Sequence, residues 1–205
     1  ADIQYGAIIV ASGAQPAATS EYLYGNASNV LTQIELEKQL SEGKFKKGAQ
    51  NIVMIQCVGS RNDEKPYCSR ICCSMAIKNA LRIKEINKSA NIYILYRDIR
   101  TYGFRETYYK KARDQGIIFI RYEKEKPPEV NETNGLLDSV KVDGPDYPDT
   151  IEIMTDKLVL STGIDACNDN ITISNMLKVP VNSDGFYVEA HMKLRPVDFA
   201  TEGIF

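Results

Sequence analysis

The sequence has no excess of positive charge. Across 205 residues, 25 Lys and Arg stand against 27 Asp and Glu, a net charge of −2. A chain without a basic surplus is poorly equipped to neutralise a phosphate backbone, which argues against a nucleic-acid role. Long hydrophobic runs are missing too. The clean apolar stretches, such as Ala7–Ala11, fall far short of the roughly 20 residues a membrane helix needs. No N-terminal segment joins basic residues, an apolar core and a cleavage site, and no segment is of low complexity. The bulk composition is ordinary for a globular domain, with 43% hydrophobic and 25% charged residues. At roughly 150 residues per domain, the length allows one large domain or two small ones.

Cysteines are few, but they are clustered. There are five, an odd number, which does not suggest a secreted disulfide scaffold. A reduced, cytoplasmic setting is expected. Four of them, Cys57, Cys68, Cys72 and Cys73, fall close together in the chain. In a reduced compartment such thiols are metal ligands, redox-active groups or small buried hydrophobes. The chain starts without Met, enters a strand pattern at Tyr5 to Ala11 and stops on the apolar step Gly203-Ile204-Phe205. These ends lead to the expectation of a fragment of a longer protein.

Hydrophobic patterning predicts an α/β fold. Gly6 to Ala11 reads as a strand buried on both faces, ending in the small-residue turn Ser12-Gly13-Ala14. Thr32 and Glu35 have capping-box spacing, so a helix is expected from there to about Glu42, stopped by Gly43. Lys44 to Gln50 reads as a linker. Then come a strand at 51–57, a polar loop at 58–67, a helix to about Ile86, a strand at 91–96, a helix at 104–115 and a strand at 117–122. Strand, helix, strand, helix, strand is the pattern of a parallel sheet with right-handed crossovers. The charged segment 123–134 reads as a solvated loop, 139–142 and 150–154 as a hairpin, and 157–161 as a strand ending at Thr162-Gly163. Two apolar strands that each run into Ser/Thr-Gly suggest two crossings between one pair of domains. The only histidine is His191.

The cysteine spacing is Cys57-x10-Cys68-x3-Cys72-Cys73. Cys57 is expected at the C-terminal end of a strand in a βα unit, the edge where open α/β sheets bind ligands. The other three are expected at the start of the next helix, where unpaired N–H groups and partial positive charge favour thiolates and anionic clusters. Arg61, Lys65 and Arg70 add positive charge nearby. An iron–sulfur cluster suits such a setting. Zinc is the chemical competitor, but structural zinc sites are usually built from C-x2-4-C knuckle pairs, which this sequence lacks. Adjacent Cys72 and Cys73 project about 100° apart around a helix, awkward for one metal ion and easier for a wider cluster. They also continue an apolar face with Ala76, Ile77, Ala80 and Leu81, so a plain core role stays open. Cys167 stands alone and is read as structural.

Several strings resemble the A subunit of heterodisulfide reductase. They are Cys57-Val58-Gly59-Ser60-Arg61, Tyr67-Cys68-Ser69-Arg70-Ile71-Cys72-Cys73, Ala76-Ile77-Lys78, the run from Ile94 to Gly103, Asp184-Gly185-Phe186 and the run from Glu189 to Phe199. The resemblance implies a thioredoxin-reductase-like α/β fold. An FAD-binding domain is split, here into residues 1–47 and 162–205, by an inserted Rossmann-type, NAD(P)-binding-like domain at 48–161. It implies a [4Fe–4S] cluster on Cys57, Cys68, Cys72 and Cys73. It implies FAD, with Lys78 near the reactive edge of the isoalloxazine, Glu37 near the same edge, Ser12 and Gly13 in a close-backbone turn beside the cofactor, and Gly163 as the counterpart of that turn. The implied function is to relay or bifurcate electrons between FAD and [4Fe–4S] clusters. The implied partners are other heterodisulfide reductase-type subunits and an electron-donating hydrogenase or dehydrogenase.

Two departures matter. The G-x-G-x-x-G fingerprint of FAD binding is missing, and the inserted domain has a single glycine after its first strand, so nicotinamide binding is not expected. Two other classes stay open: a pyridine-nucleotide-dependent disulfide reductase, although the usual C-x2-C or C-x4-C dithiol is missing, and a non-catalytic, zinc-stabilised docking module. The isolated chain is expected to be inactive.

Overall fold

The computed structural model describes residues 4–45 and 48–205. The chain forms two compact units, residues 18–163 and residues 1–17 with 164–205.

The larger unit is built on a five-stranded parallel sheet. Its strands are β2 (Val30–Thr32), β3 (Asn51–Ile55), β4 (Asn91–Tyr96), β5 (Ile118–Arg121) and β9 (Lys157–Leu160), in the order β2-β9-β3-β4-β5. Helix α1 (Gln33–Ser41) follows β2, α2 (Cys72–Ile86) joins β3 to β4, and α3 (Glu106–Asp114), entered through a short 3-10 turn, joins β4 to β5. The strand–helix alternation read from the sequence is therefore present, and all four strand pairs are parallel. Strand β3 is almost wholly buried, as its run of branched apolar residues requires. One face of the sheet packs Ile52, Met54, Ile92 and Val159 against Leu36, Ala76, Ile77 and Ala80 of the helices. The other packs Val53, Ile55 and Leu158 against Leu137, Val140 and Ile153.

Those last residues belong to a second, antiparallel sheet of β6 (Glu129–Thr133), β7 (Leu136–Val142) and β8 (Ile151–Met154). The expected hairpin is there, but residues 129–133 are a strand and not a loop. Strand β6 bonds to β7 as an edge with most side chains exposed, which is why its sequence looks solvated.

Helix α1 starts as expected. Thr32 accepts from the Glu35 N–H and Glu35 bonds back to the Thr32 N–H at 2.7 Å. Contacts place β2 and α1 in the larger unit, because β2 is hydrogen-bonded to β9. The sequence reading groups them instead with the flanking pieces. Part of the expected linker, residues 46–47, lies outside the described residues. In α3 only Ala112 is buried, and Phe104 and Tyr108 are exposed. The helix is held instead by Tyr109, edge-on to Phe119 with ring centroids 4.8 Å apart.

The smaller unit contains β1 (Ala14–Pro16) paired antiparallel with β10 (Ile164–Ala166), and helix α4 (Asn170–Leu177). Residues 8–10 run parallel to 203–205, with Ile8 and Ile204 as bridge partners. The first segment is therefore extended, as expected, but it is not buried on both faces: Ile9 is 78% exposed. A small core of Val179, Phe199 and Ile204 takes Ile8, Val10 and Tyr187 against it. Among the described residues no helix is long and apolar enough to cross a membrane.

Candidate functional site

The C-terminal edge of the parallel sheet is where the sequence places its unusual chemistry. Strand β3 ends at Ile55, and the chain turns sharply at Cys57, which takes a left-handed backbone with φ of +62°. Arg61 and Arg70 in the same loop are also left-handed, at +56° and +61°. Three non-glycine residues in that region within one loop are uncommon, and each carries a cost of about 1–2 kcal/mol. Such strain persists where surrounding structure enforces it, often at functional sites.

The loop delivers Cys68, and Cys72 and Cys73 are the first two residues of α2. That helix has no side-chain cap at Ile71. Cys57 and Cys73 are buried, and Cys68 and Cys72 half-buried. Burial, together with the neighbouring thiols of Cys57, Cys73 and Cys68, pushes the Cys72 thiol up to about 12. Burial also raises Cys57, offset in part by Arg61 and Arg97, with Cys68 adding to the rise. Cys73 is raised by burial and by Cys57 and Cys68, and lowered by the backbone N–H of Arg100. The four thiols thus lie along one stretch of chain, from the end of β3 through the loop to the first turn of α2. Yet among the described residues no three metal-binding side chains stand close enough to hold one metal ion.

A polar frame surrounds the thiols. Arg61 Nη1 donates to Cys57 Sγ at 3.8 Å, and Nη2 donates to the Asp98 carboxylate. The Arg70 N–H lies 3.4 Å from Cys68 Sγ, and Cys73 Sγ donates to the Asp98 carbonyl at 3.7 Å. Burial pushes the Asp98 carboxyl up, but Arg61 and Arg100 outweigh it and hold the group below its ordinary range. Gln56 and Ser161 are buried at the ends of β3 and β9. Both amide atoms of Gln56 and the hydroxyl of Ser161 lack a hydrogen-bond partner. By strand alternation both point to the face that α2 covers. The charge near the thiols is legible in the sequence at Arg61. The parts played by Asp98, Arg100 and Gln56 are not, because they depend on which strand ends become neighbours.

The remaining candidates fall into three places. Glu37 and Lys78, on α1 and α2, form an ion pair at 2.7 Å. Lys78 also borders a groove of about 390 Å³ in which Ile77, Leu81 and Tyr108 are flanked by Arg82, Glu85, Arg105 and Lys111. Gly163 takes φ of +81°, and a Cβ there would lie 2.6 Å from Ser69 Oγ and 3.9 Å from Cys72 Sγ. In the smaller unit, Gly13 is left-handed at +71° and Ser12 Oγ donates to Asn170 Oδ1 at 2.9 Å. Cys167 contacts only the Ser12 carbonyl, at 3.3 Å, among the bonds described for it.

No protein-family model matches the chain. Whole-sequence relatives are clear. The iron-sulfur A subunit of CoB–CoM heterodisulfide reductase from Methanocaldococcus jannaschii is 40% identical over 201 residues, covering 90% of this chain and 30% of the relative. The A subunit of the H2/formate:CoB–CoM heterodisulfide,ferredoxin reductase from Methanococcus maripaludis is 38% identical over 223 residues, covering 99% of this chain and 33% of the relative. The chain thus spans about a third of the length of the curated relatives it matches. Among solved structures, thioredoxin reductase of T. acidophilum matches 97% of this chain and 55% of its own, with a TM-score of 0.56 at 16% identity. That of Lactococcus lactis matches the same shares with a TM-score of 0.56 at 18% identity. The fold is thioredoxin-reductase-like. Over the length that it matches, about a third of the relatives' own, this chain is a homologue of heterodisulfide reductase A subunits.

Proposed function

We propose that this chain is the electron-transfer core of a heterodisulfide reductase A-type oxidoreductase subunit. In this reading it holds a [4Fe–4S] cluster on Cys57, Cys68, Cys72 and Cys73 and contributes to an FAD site through Glu37, Lys78, Ser12, Gly13 and Gly163. The observation that carries it is the placement of Cys57 just past the end of β3 and of Cys72 and Cys73 at the start of α2, with Cys68 on the loop between them.

The donor set fits such a group. It is all sulfur, the ligand type of iron–sulfur clusters. The sequence lacks the C-x2-4-C knuckle pair of structural zinc sites, which favours a wider centre over a zinc-stabilised docking module. The unpartnered Gln56 amide and Ser161 hydroxyl supply buried hydrogen-bonding capacity on the α2 face of the same sheet edge. When bound, the cluster exchanges single electrons and the flavin exchanges singles or pairs.

The chain's own residues bind and tune. The four thiols lose their protons on ligation, and the cost of removing them from a buried site is met by the metal. Lys78, steadied by Glu37, presents an ammonium beside that groove, a combination suited to a flat ring that gains negative charge. Gly13 leaves open space beside its backbone, with no atom within 4 Å of where a Cβ would stand. The parent protein is read as relaying or bifurcating electrons between FAD and [4Fe–4S] clusters, with other heterodisulfide reductase-type subunits and an electron-donating hydrogenase or dehydrogenase as partners, in the cytoplasm. Residues 1–47 and 162–205 are read as pieces of the FAD-binding domain and 48–161 as the inserted domain.

The test is anaerobic reconstitution with iron and sulfide, followed by metal analysis and by visible and EPR spectra of wild type and Cys72→Ser. About four irons and four sulfides per chain, and a changed spectrum in the variant, are expected. Zinc uptake without iron would favour the docking module. Stoichiometric reduction of a dithiol by NADPH would favour the disulfide reductase.

A further inference from the structure

Arg61 is placed at some cost. It holds a left-handed backbone at φ of +56°, a strain of about 1–2 kcal/mol for a residue with a side chain. Its main-chain carbonyl accepts from Arg97 Nη1 at 3.0 Å, which fixes the turn. The guanidinium then forks, one arm to Cys57 Sγ at 3.8 Å and the other to Asp98. Asp98 also accepts from Arg100 at 3.4 Å. The Asp98 side chain is 49% exposed and that of Arg61 only 19%. The pair thus holds a largely buried guanidinium in place, with its second arm on the Cys57 sulfur.

We propose that Arg61, aimed at Cys57 by Asp98, sets the reduction potential of the metal centre on the four thiols. The proposal rests on the iron–sulfur reading of that corner. Reduction adds one negative charge to the centre. A fixed cation that also donates N–H to a ligand sulfur stabilises the reduced state more than the oxidised one, raising the potential. Asp98 acts through Arg61 and is a positioning residue. Lysine at 61 would keep the charge but lose the fork that reaches sulfur and carboxylate together.

The experiment is an anaerobic redox titration of the reconstituted chain, followed by EPR. One electron passes from dithionite to the centre; no bond breaks and no proton moves. Arg61→Gln is expected to shift the reduction equilibrium about tenfold toward the oxidised form, about 59 mV for a one-electron couple. Arg61→Lys is expected to shift it less, in the same direction. Lys141→Gln removes a β7 cation that lies 3.9 Å from Glu152 on β8 and serves as the control, with no shift expected. If wild type assembles no cluster, the iron–sulfur reading falls and takes this inference with it. If clusters assemble in both but Arg61→Gln titrates within twofold of wild type, or Lys141→Gln shifts as much, the role of Arg61 is overturned while the cluster stands. Should Arg61→Gln fail to take up iron, Arg61→Lys decides by the same criterion.

Discussion

Lys78 Nζ lies 2.7 Å from Glu37 Oε1, joining α2 to α1 across their outer surfaces. The side chains are 56% and 43% exposed, so water screens the pair and its contribution to folding should be about 0–1 kcal/mol. Glu37→Gln and Lys78→Gln are each expected to move the thermal midpoint by no more than about 4 °C. A double-mutant cycle by urea denaturation should return a coupling below about 1 kcal/mol. A coupling above about 2 kcal/mol would show that the pair holds the helices together and is not kept for a cofactor.

Thr32 and Glu35 close the N-terminus of α1 through reciprocal bonds. Thr32→Ala removes the acceptor for one orphan amide and the hydroxyl that donates to Glu35, whose carboxylate keeps the backbone N–H of residue 32 and the Tyr24 hydroxyl. A loss of about 1 kcal/mol is expected, while Thr32→Ser should recover most of it. Equal stability of all three proteins in urea would mean that packing of Leu36 and Leu40 alone sets this helix.

Much of this architecture can be read from periodicity alone. The buried strands at 51–55, 91–96 and 157–160 are short runs of branched apolar residues, and the Thr32–Glu35 spacing marks its helix start. Strand β6 escapes such reading because an exposed edge carries no alternating pattern; only its bonding to β7 reveals it. Tyr109 misleads in the opposite way, since the packed face of α3 is set by Phe119 on a later strand. The thiol cluster is legible because its members are near neighbours in the chain. Asp98, 37 residues from Arg61, is not, since only the parallel register of β3 and β4 brings their ends together.

The buried thiols give the metal-free protein a pH dependence of known sign. Burial, with the neighbouring thiols, raises Cys72 from an ordinary value of 9.0 to about 12, and Cys57 and Cys73 are raised too. Folded protein therefore retains protons that unfolded chain gives up. Their contribution to stability is complete below about pH 9 and is lost as pH rises toward 12. Urea midpoints should fall between pH 9 and 11 in reduced wild type, and fall less in Cys72→Ala. Parallel profiles for the two proteins would show that Cys72 titrates as freely when folded as when unfolded.

Gly163 is expected from the family resemblance to face the flavin, but its immediate neighbours already require glycine. Its φ of +81° disfavours any Cβ, and a Cβ would sit 2.6 Å from Ser69 Oγ. Backbone strain of about 1–2 kcal/mol and overpacking of about 1–3 kcal/mol both act. Gly163→Ala should therefore cost about 2–4 kcal/mol by urea denaturation. Only the steric part depends on the hydroxyl. In a Ser69→Ala background the nearest Ser69 atom is Cβ at 3.6 Å, an ordinary contact, so the cost should fall to about 1–2 kcal/mol. Because Ser69 follows Cys68 directly, the clash should also be felt at the thiols. Iron uptake by Gly163→Ala should drop below wild type and recover in the double variant. An identical stability cost in both backgrounds would remove Ser69 from the account and leave the backbone conformation alone to explain the glycine.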